Sequence, residues 1–426
     1  MKNLFKLIGI IAVLVIIGFS FVACDDDDSG GGGGGGSGGD KDLTGTITIY
    51  PSTGVTTGTK LTATYSGSET VSYQWKKDTT NVGTNSNEFT PTEAGSYTVT
   101  VSAKGYKSKT SAAVTIELKW TAVTGMTLNN NSYLAVAYGN NKFVVGGGDG
   151  KMATSTDGIT WNFVSNSTFG TSNNTIFAIA YGDGKFVAVG SSRKMAVSTD
   201  GETWTATTTS STFTNGIGAI AYGNGKFVAV GGDGKMATSA DGTTWTAVTD
   251  STFGTSSIIY AIAYGNDKFV AGGEDGKIAT STDGTTWIAV DTGTSFDYQN
   301  YGTYKATIYA IAYGNSKFVA VGGRGKMATS TDGTTWTAVA NSTFDSNDIN
   351  AIAYGNGKFF AGGKSGNVAY STDGATWTAV TQSIFESNVK SNDTIYGIVY
   401  GNNKFVAVGQ YYQYSQNGKI AYLSDN

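Results

Sequence analysis

Residues 219–248 read AIAYGNGKFVAVGGDGKMATSADGTTWTAV, and this stretch decides the fold. It holds four short runs, here termed a to d, separated by Gly, Asn and Asp. Run a, Ala219–Tyr222, is small and apolar, which suits a crowded innermost strand. Gly223-Asn224-Gly225 is a tight reversal, because Gly and Asn tolerate positive φ. Run b, Lys226–Val230, alternates like a strand. Gly231–Gly234 reverses the chain again into run c, Lys235–Ser239, and Ser239–Trp245 leads into run d, Thr244–Val248. Seven near-copies of the unit fill the chain from Trp120 to Asn426. The seventh ends at KIAYLSDN without a run d, and Lys119–Val123 (KWTAV) supplies one ahead of the first copy. A ring closed by pairing the chain ends explains that permutation, and an open array does not. Closure also removes the unpaired strand edges of an open stack.

Trp120, Trp161, Trp204, Trp245, Trp287, Trp336 and Trp377 recur at 41–43 residues with one gap of 49, the period of a four-stranded blade. The predicted architecture is all-β: a seven-bladed β-propeller over 118–426, closed by N-/C-terminal strand pairing. The segment Ser239–Trp245 resembles the Asp-box of sialidase-like (BNR) propellers, one residue shorter here. It recurs at Ser155–Trp161, Ser198–Trp204, Ser281–Trp287, Ser330–Trp336 and Ser371–Trp377, with a remnant at Leu423-Ser424-Asp425. The resemblance implies a structural box: Ser and Asp bond turn amides, Trp fills space between blades, and none touches substrate.

The resemblance also names an activity that this composition excludes. Sialidases need three arginines around the substrate carboxylate, and the whole chain has only Arg193 and Arg324. Histidine is absent and cysteine occurs once, which removes Ser-His-Asp, Cys-His and His- or thiolate-ligated metal chemistry. Carboxylates for a glycosidase exist (Asp149, Asp233, Glu274, Asp275, Asp297), but spacing singles out no pair. The Gly-Asp-Gly-Lys turns lack the upstream Gly and following helix of a phosphate loop. The formal charge of −4 comes with no basic stripe, against nucleic-acid binding. No enzyme, cofactor or metal is expected.

Ahead of the ring, residues 43–117 alternate in short strands between turn signals, as a β-sandwich does. Trp75 stands where the core Trp of an immunoglobulin strand C stands, and Glu93–Tyr97 resembles the tyrosine corner, with Val99 at the place of the second family cysteine. The resemblance implies a small immunoglobulin-like domain, read as a spacer. Residues 1–23 read as a signal peptide, with Lys2 and Lys6 before an apolar stretch. Phe21-Val22-Ala23-Cys24 resembles a bacterial lipobox, which implies a membrane lipid on Cys24. Residues 24–42 are then a flexible Asp/Gly-rich tether.

In propellers the d–a and b–c connections share the usual binding face. That face is expected to point away from the membrane, with the sandwich on the opposite, c–d side. On it the b–c turns carry Lys151, Lys194, Lys235, Lys277, Lys326 and Lys419, read as a solvated ring of mixed charge. The recurrent Phe169, Phe213, Phe253 and Phe344 are read as rim packing. The repeat breaks at Asp291–Thr307, which holds Phe296, Tyr298, Tyr301 and Tyr304, and at Gln410–Lys419, which holds Tyr411, Tyr412 and Tyr414. Clustered aromatics on irregular loops suit a glycan or protein ligand. The expected protein is a single-copy, lipid-anchored binding protein of the bacterial cell envelope, at the outer membrane or cell surface. The alternative is an envelope assembly or scaffold factor, since similar Asp-box propellers include photosystem-assembly proteins.

Overall fold

The computed structural model describes residues 41–126, 128–129, 131–170, 174–207, 212–299, 303–382, 384–385, 393–412 and 416–424. The predicted leader, Cys24 and the tether up to residue 40 lie outside them. Among the described residues there are strands and short 3-10 turns but no α-helix, and no helix long and apolar enough to cross a membrane.

Each repeat folds as its turns dictate. Residues 133–163, 176–206, 217–247, 259–290, 308–338 and 349–380 each form an antiparallel sheet of four strands in chain order. In the third of these, Ile217–Gly223, Lys226–Gly231, Met236–Ser239 and Thr246–Ala247 correspond to runs a to d. The a–b reversal places Asn224 at φ 45° and Gly225 at φ 71°, the left-handed region that Asn and Gly reach cheaply. Run d is the shortest strand and is exposed along its length.

The last sheet is built from both ends of the chain. Thr394–Gly401, Lys404–Tyr412 and Gln416–Ser424 are joined by Trp120–Ala122 as the outer strand, in the register Trp120↔Leu423, Thr121↔Tyr422 and Ala122↔Ala421. This is the pairing that the permuted repeat implied. Leu128–Asn129 adds a second short pairing to the same strand.

The a strands stand side by side, and that of the last sheet also packs against that of the first. The reason is a repeated close approach. A Cβ on Gly223 would fall 2.0 Å from the ring of Tyr264, and Gly265, Gly314 and Gly355 stand in the same way against Tyr313, Tyr354 and Tyr400. Gly401 then meets Tyr138, so the series returns to its start. The apolar core follows the same cycle, as a layer between each pair of neighbouring sheets. One layer joins Val187, Val189 and Met195 to Ile217, Phe227 and Trp245. Another joins Val406, Val408 and Ile420 of the last sheet to Tyr133, Phe143 and Trp161 of the first.

The Ser-x-Asp turns fasten each c–d corner. Ser239 Oγ donates to Asp241 Oδ1 at 3.0 Å, Thr243 and Thr244 N–H donate to the same carboxylate at 2.8 Å, and Trp245 Nε1 donates to Gly242 C=O at 3.2 Å. A neighbouring sheet reads that corner too, since Asn224 Nδ2 donates to Thr282 C=O at 3.1 Å. The equivalent bond from Asn402 to Thr156 C=O, at 3.0 Å, ties the last sheet to the first.

Residues 41–118 form sheets of their own around Trp75, which is fully buried and stacks on Phe89 at 5.7 Å. The Tyr97 hydroxyl donates to Glu93 C=O at 2.9 Å, and burial pushes its pKa up to about 12. This unit meets the ring near its sixth sheet. Thr381 Oγ1 donates to Glu117 Oε2 at 2.6 Å, and the Gln382 side chain brackets the backbone of Trp120. The bond from Lys77 holds the Glu93 carboxyl low, with a further contribution from the Lys358 ammonium at an a–b turn.

Candidate functional site at the channel mouth

The a strands share a defect that aims one residue of each at the axis. In every sheet the register slips by one residue near the start of run a, as between Ile217↔Gly231 and Ala219↔Val230. A bulge of this kind turns the extra side chain out of the alternation. The bulged residues are Leu134, Phe177, Gly218, Tyr260, Tyr309, Asn350 and Tyr396. All of them line one cavity of about 510 Å³. It opens on the side of the d–a and b–c connections, since Asn215 and Ile258 before run a and Gly232 after run b also line it. An adjoining cavity of about 220 Å³ shares those seven residues and is lined further by alanines and isoleucines of the same strands.

The mouth is two-sided. Leu134, Phe177 (39% exposed) and Gly218 form an apolar arc. Tyr260, Tyr309, Asn350 and Tyr396 form a polar one. Tyr260 and Tyr309 meet edge to face, 5.6 Å between centroids and 74° between planes. Burial raises the pKa of all three tyrosines, with a further rise from the Glu274 carboxylate at Tyr260 and chiefly from the Asp348 carboxylate at Tyr309, so the hydroxyls stay protonated as donors. Charged groups border this arc. Glu274 Oε2 accepts Ile258 N–H at 2.9 Å. Lys364 pairs with Asp348 at 2.5 Å. Burial pushes the Asp348 carboxyl up, but bonds from Lys364 and Arg324 N–H and the charge of both cations outweigh it and leave the pKa low.

The residues expected from sequence to bind ligand are placed unevenly. Tyr298 and Tyr304 face each other across the hairpin Asp297–Gln299 and Thr303–Lys305, rings 5.8 Å apart and nearly parallel. The Arg324 guanidinium lies 4.4 Å over the Tyr298 ring, and Tyr304 is 51% exposed. Phe296 corrects the expectation: it is fully buried, packed with Ile308, Phe318 and Trp336, and presents nothing to a ligand. Tyr411 and Tyr412 continue a strand paired with Asn417 and Gln416. Tyr301 and Tyr414 lie outside the described residues.

Within the expected solvated lysine ring, Lys151 is exposed, whereas Lys194 and Lys277 are bonded into the loops. Lys277 Nζ donates to Phe253 C=O at 3.1 Å and to Ser257 Oγ at 2.7 Å, stapling a b–c turn to a d–a loop. The recurrent phenylalanines are buried as packing groups. Three of the carboxylates weighed for glycoside hydrolysis are engaged locally: Asp149 accepts from Asn131 at 2.9 Å, Asp233 accepts from Asn215 at 2.7 Å, and Asp297 pairs with Lys305 at 3.3 Å. Sequence reasoning missed the mouth residues. Their signal is a variable column inside an otherwise constant run, at the position after Ile259, Ile308, Ile349 and Ile395.

Comparison with known proteins bears on the fold. Residues 318–420 match the family described as the DUF6242 beta propeller domain. No curated protein matches the sequence. The structure is similar to that of YCF48 bound to a D1 peptide, at 16% identity and a TM-score of 0.56, covering 73% of this chain and 96% of that one. It is also similar to YCF48 from Cyanidioschyzon merolae, at 16% identity and a TM-score of 0.53, covering 71% of this chain and 98% of that one. Cyclic four-stranded sheets and these likenesses together identify a β-propeller.

Proposed function

We propose that this protein is a non-catalytic binding propeller that holds a segment of another protein at the mouth of its axial channel. One observation carries the reading: the seven bulged positions, where repeat symmetry fails, converge on one cavity of about 510 Å³. This column varies among Leu, Phe, Gly, Tyr and Asn while its neighbours repeat, which suits side chains that face a ligand rather than a neighbouring sheet. Tyrosine hydroxyls, an amide and apolar rings suit an extended peptide, which offers both backbone polar groups and side chains. The exposed Tyr304 on its hairpin extends the same face outward. A fold neighbour solved with a peptide supports a protein ligand over a glycan.

The remaining parts of the reading follow the sequence. The ring is taken as seven blades, with six Asp-boxes as corner fasteners and an immunoglobulin-like unit at 43–117 as the mount. Trp75 and the Tyr97–Glu93 bond support that mount. A lipid on Cys24 anchors the chain to a membrane of the bacterial envelope, and the mouth is taken to face away from it. Assembly of membrane proteins, the alternative drawn from the sequence, is a role compatible with a protein ligand held by an anchored propeller.

The test places a benzophenone amino acid at Phe177, in the mouth, and at Ile288, an exposed site on a d strand, in full-length protein expressed in its own cells. The reading expects one cross-linked protein from position 177, lost with Tyr309→Ala, and none from 288. Equal cross-linking from both sites, or a glycan array bound through Tyr309 with no protein cross-link, overturns it. Labelling with an alkynyl fatty acid that survives Cys24→Ala removes the anchor from the scheme.

A further inference from the structure

One carboxylate bordering the polar arc of the mouth forms no ion pair among the described residues, while Lys277 of the same turn is bonded to Phe253 C=O and Ser257 Oγ. Lys364 and Asp348 compensate each other at 2.5 Å. Arg324 is drawn outward onto the Tyr298 ring. Glu274 remains: one oxygen accepts Ile258 N–H, and among the described residues no lysine or arginine lies within ion-pair distance of it. That bond fixes the carboxylate to Ile258, which lines the cavity next to Tyr260 and Tyr309.

Those two rings cross at 74° with centroids 5.6 Å apart, forming adjacent walls of the cavity. Tyr396 and the exposed Phe177 stand elsewhere around the same opening. Aromatic faces carry negative potential and attract cations, more so where water is partly excluded. Aromatic walls with an unpaired carboxylate behind them are a receptor for an organic cation. A neutral apolar residue would use the rings but leave Glu274 unanswered, and an acidic one would be repelled by it.

We propose that the mouth recognises a basic side chain, the ammonium of Lys or the guanidinium of Arg, on the protein segment it holds, with Tyr260 and Tyr309 as walls and Glu274 as counter-charge. This rests on the reading above that the mouth binds protein, and it adds the chemistry of the residue that enters. The segment is then basic at one position, with apolar neighbours over Leu134 and Phe177.

The probes are the pentapeptides acetyl-Gly-Gly-Lys-Gly-Gly-amide and its norleucine counterpart, titrated into full-length protein in detergent by calorimetry. Binding of the lysine peptide is expected to exceed that of the norleucine peptide roughly tenfold, within the range of a partly desolvated cation–π contact plus a charge. Glu274→Gln, which keeps an acceptor for Ile258 N–H, should abolish most of that preference while leaving the melting temperature unchanged. Tyr309→Phe should retain the preference and Tyr309→Leu should lose it. Raising the salt should weaken the lysine peptide alone. Equal binding of the two peptides, no binding of either, or a preference indifferent to Glu274→Gln overturns the inference. Any of these with the Phe177 cross-link intact leaves the protein-binding reading standing. Displacement of the lysine peptide by phosphocholine at lower concentration would assign the mouth to a lipid headgroup and overturn both.

Discussion

At the residue scale, the Ser-x-Asp turn shows how one carboxylate organises a corner. Asp200 accepts N–H bonds from Thr203 and Glu202 and a hydroxyl from Ser198, which hold its pKa at about 2 against the cost of its burial. Asp373 is held at about 2 in the same way, by Thr376 and Ala375. Both lie below the unfolded value of about 3.9. Their stabilisation is therefore complete above about pH 4 and lost as the pH falls through about 2. Calorimetry from pH 5 to pH 2 should show the melting temperature falling mainly in that last interval. Asp200→Asn should flatten the fall, because it removes the titrating group and keeps the acceptor. Asp241→Ala should cost about 1–3 kcal/mol at neutral pH, because two turn amides lose their acceptor.

At the scale of the element, each a strand is set by the one beside it. Gly223 is fixed by the Tyr264 ring, whose Cγ is anchored to its own backbone and cannot retreat from a new methyl group. Gly223→Ala should lower stability by about 1–3 kcal/mol through overpacking, read as a shift in the urea midpoint at constant slope. Trp120 is the element-scale exception. It is 1% exposed against Phe360, yet its indole N–H has no partner among the described residues, where the other box tryptophans reach a glycine carbonyl. Its sheet has no c–d turn, because the two strands come from opposite ends of the chain. Packing alone holds its indole, and Trp120→Ala should cost about 3–5 kcal/mol.

For the whole molecule, closure changes what a truncation does. Every apolar layer is shared by two sheets, and the layer between the last sheet and the first is as complete as the others. Removing residues 416–424 takes the partner of Trp120–Ala122 and of Lys404–Tyr412 together. Differential scanning calorimetry of that truncation should show loss of the main cooperative transition. Loss of only about one sheet's share of the unfolding enthalpy would indicate an open stack instead.

Most of the scaffold was legible along the chain, since Gly-Asn-Gly reversals, alternating runs and one Trp per unit are local features. The terminal pairing was legible for the same reason: a missing run d at one end and a spare one at the other are matters of counting. The loop tyrosines were legible only as candidates. Tyr298 and Tyr304 came out stacked beneath Arg324, while Phe296 turned inward, and composition does not distinguish a ring that faces solvent from one that fills a layer. The mouth was decided by tertiary structure alone. Strand alternation assigns the residue just before run a a direction, and a bulge repeated around the ring reverses it, gathering residues far apart in the chain onto one axis. Local propensity specifies strands and turns; which side chains meet at the centre depends on how the ring closes.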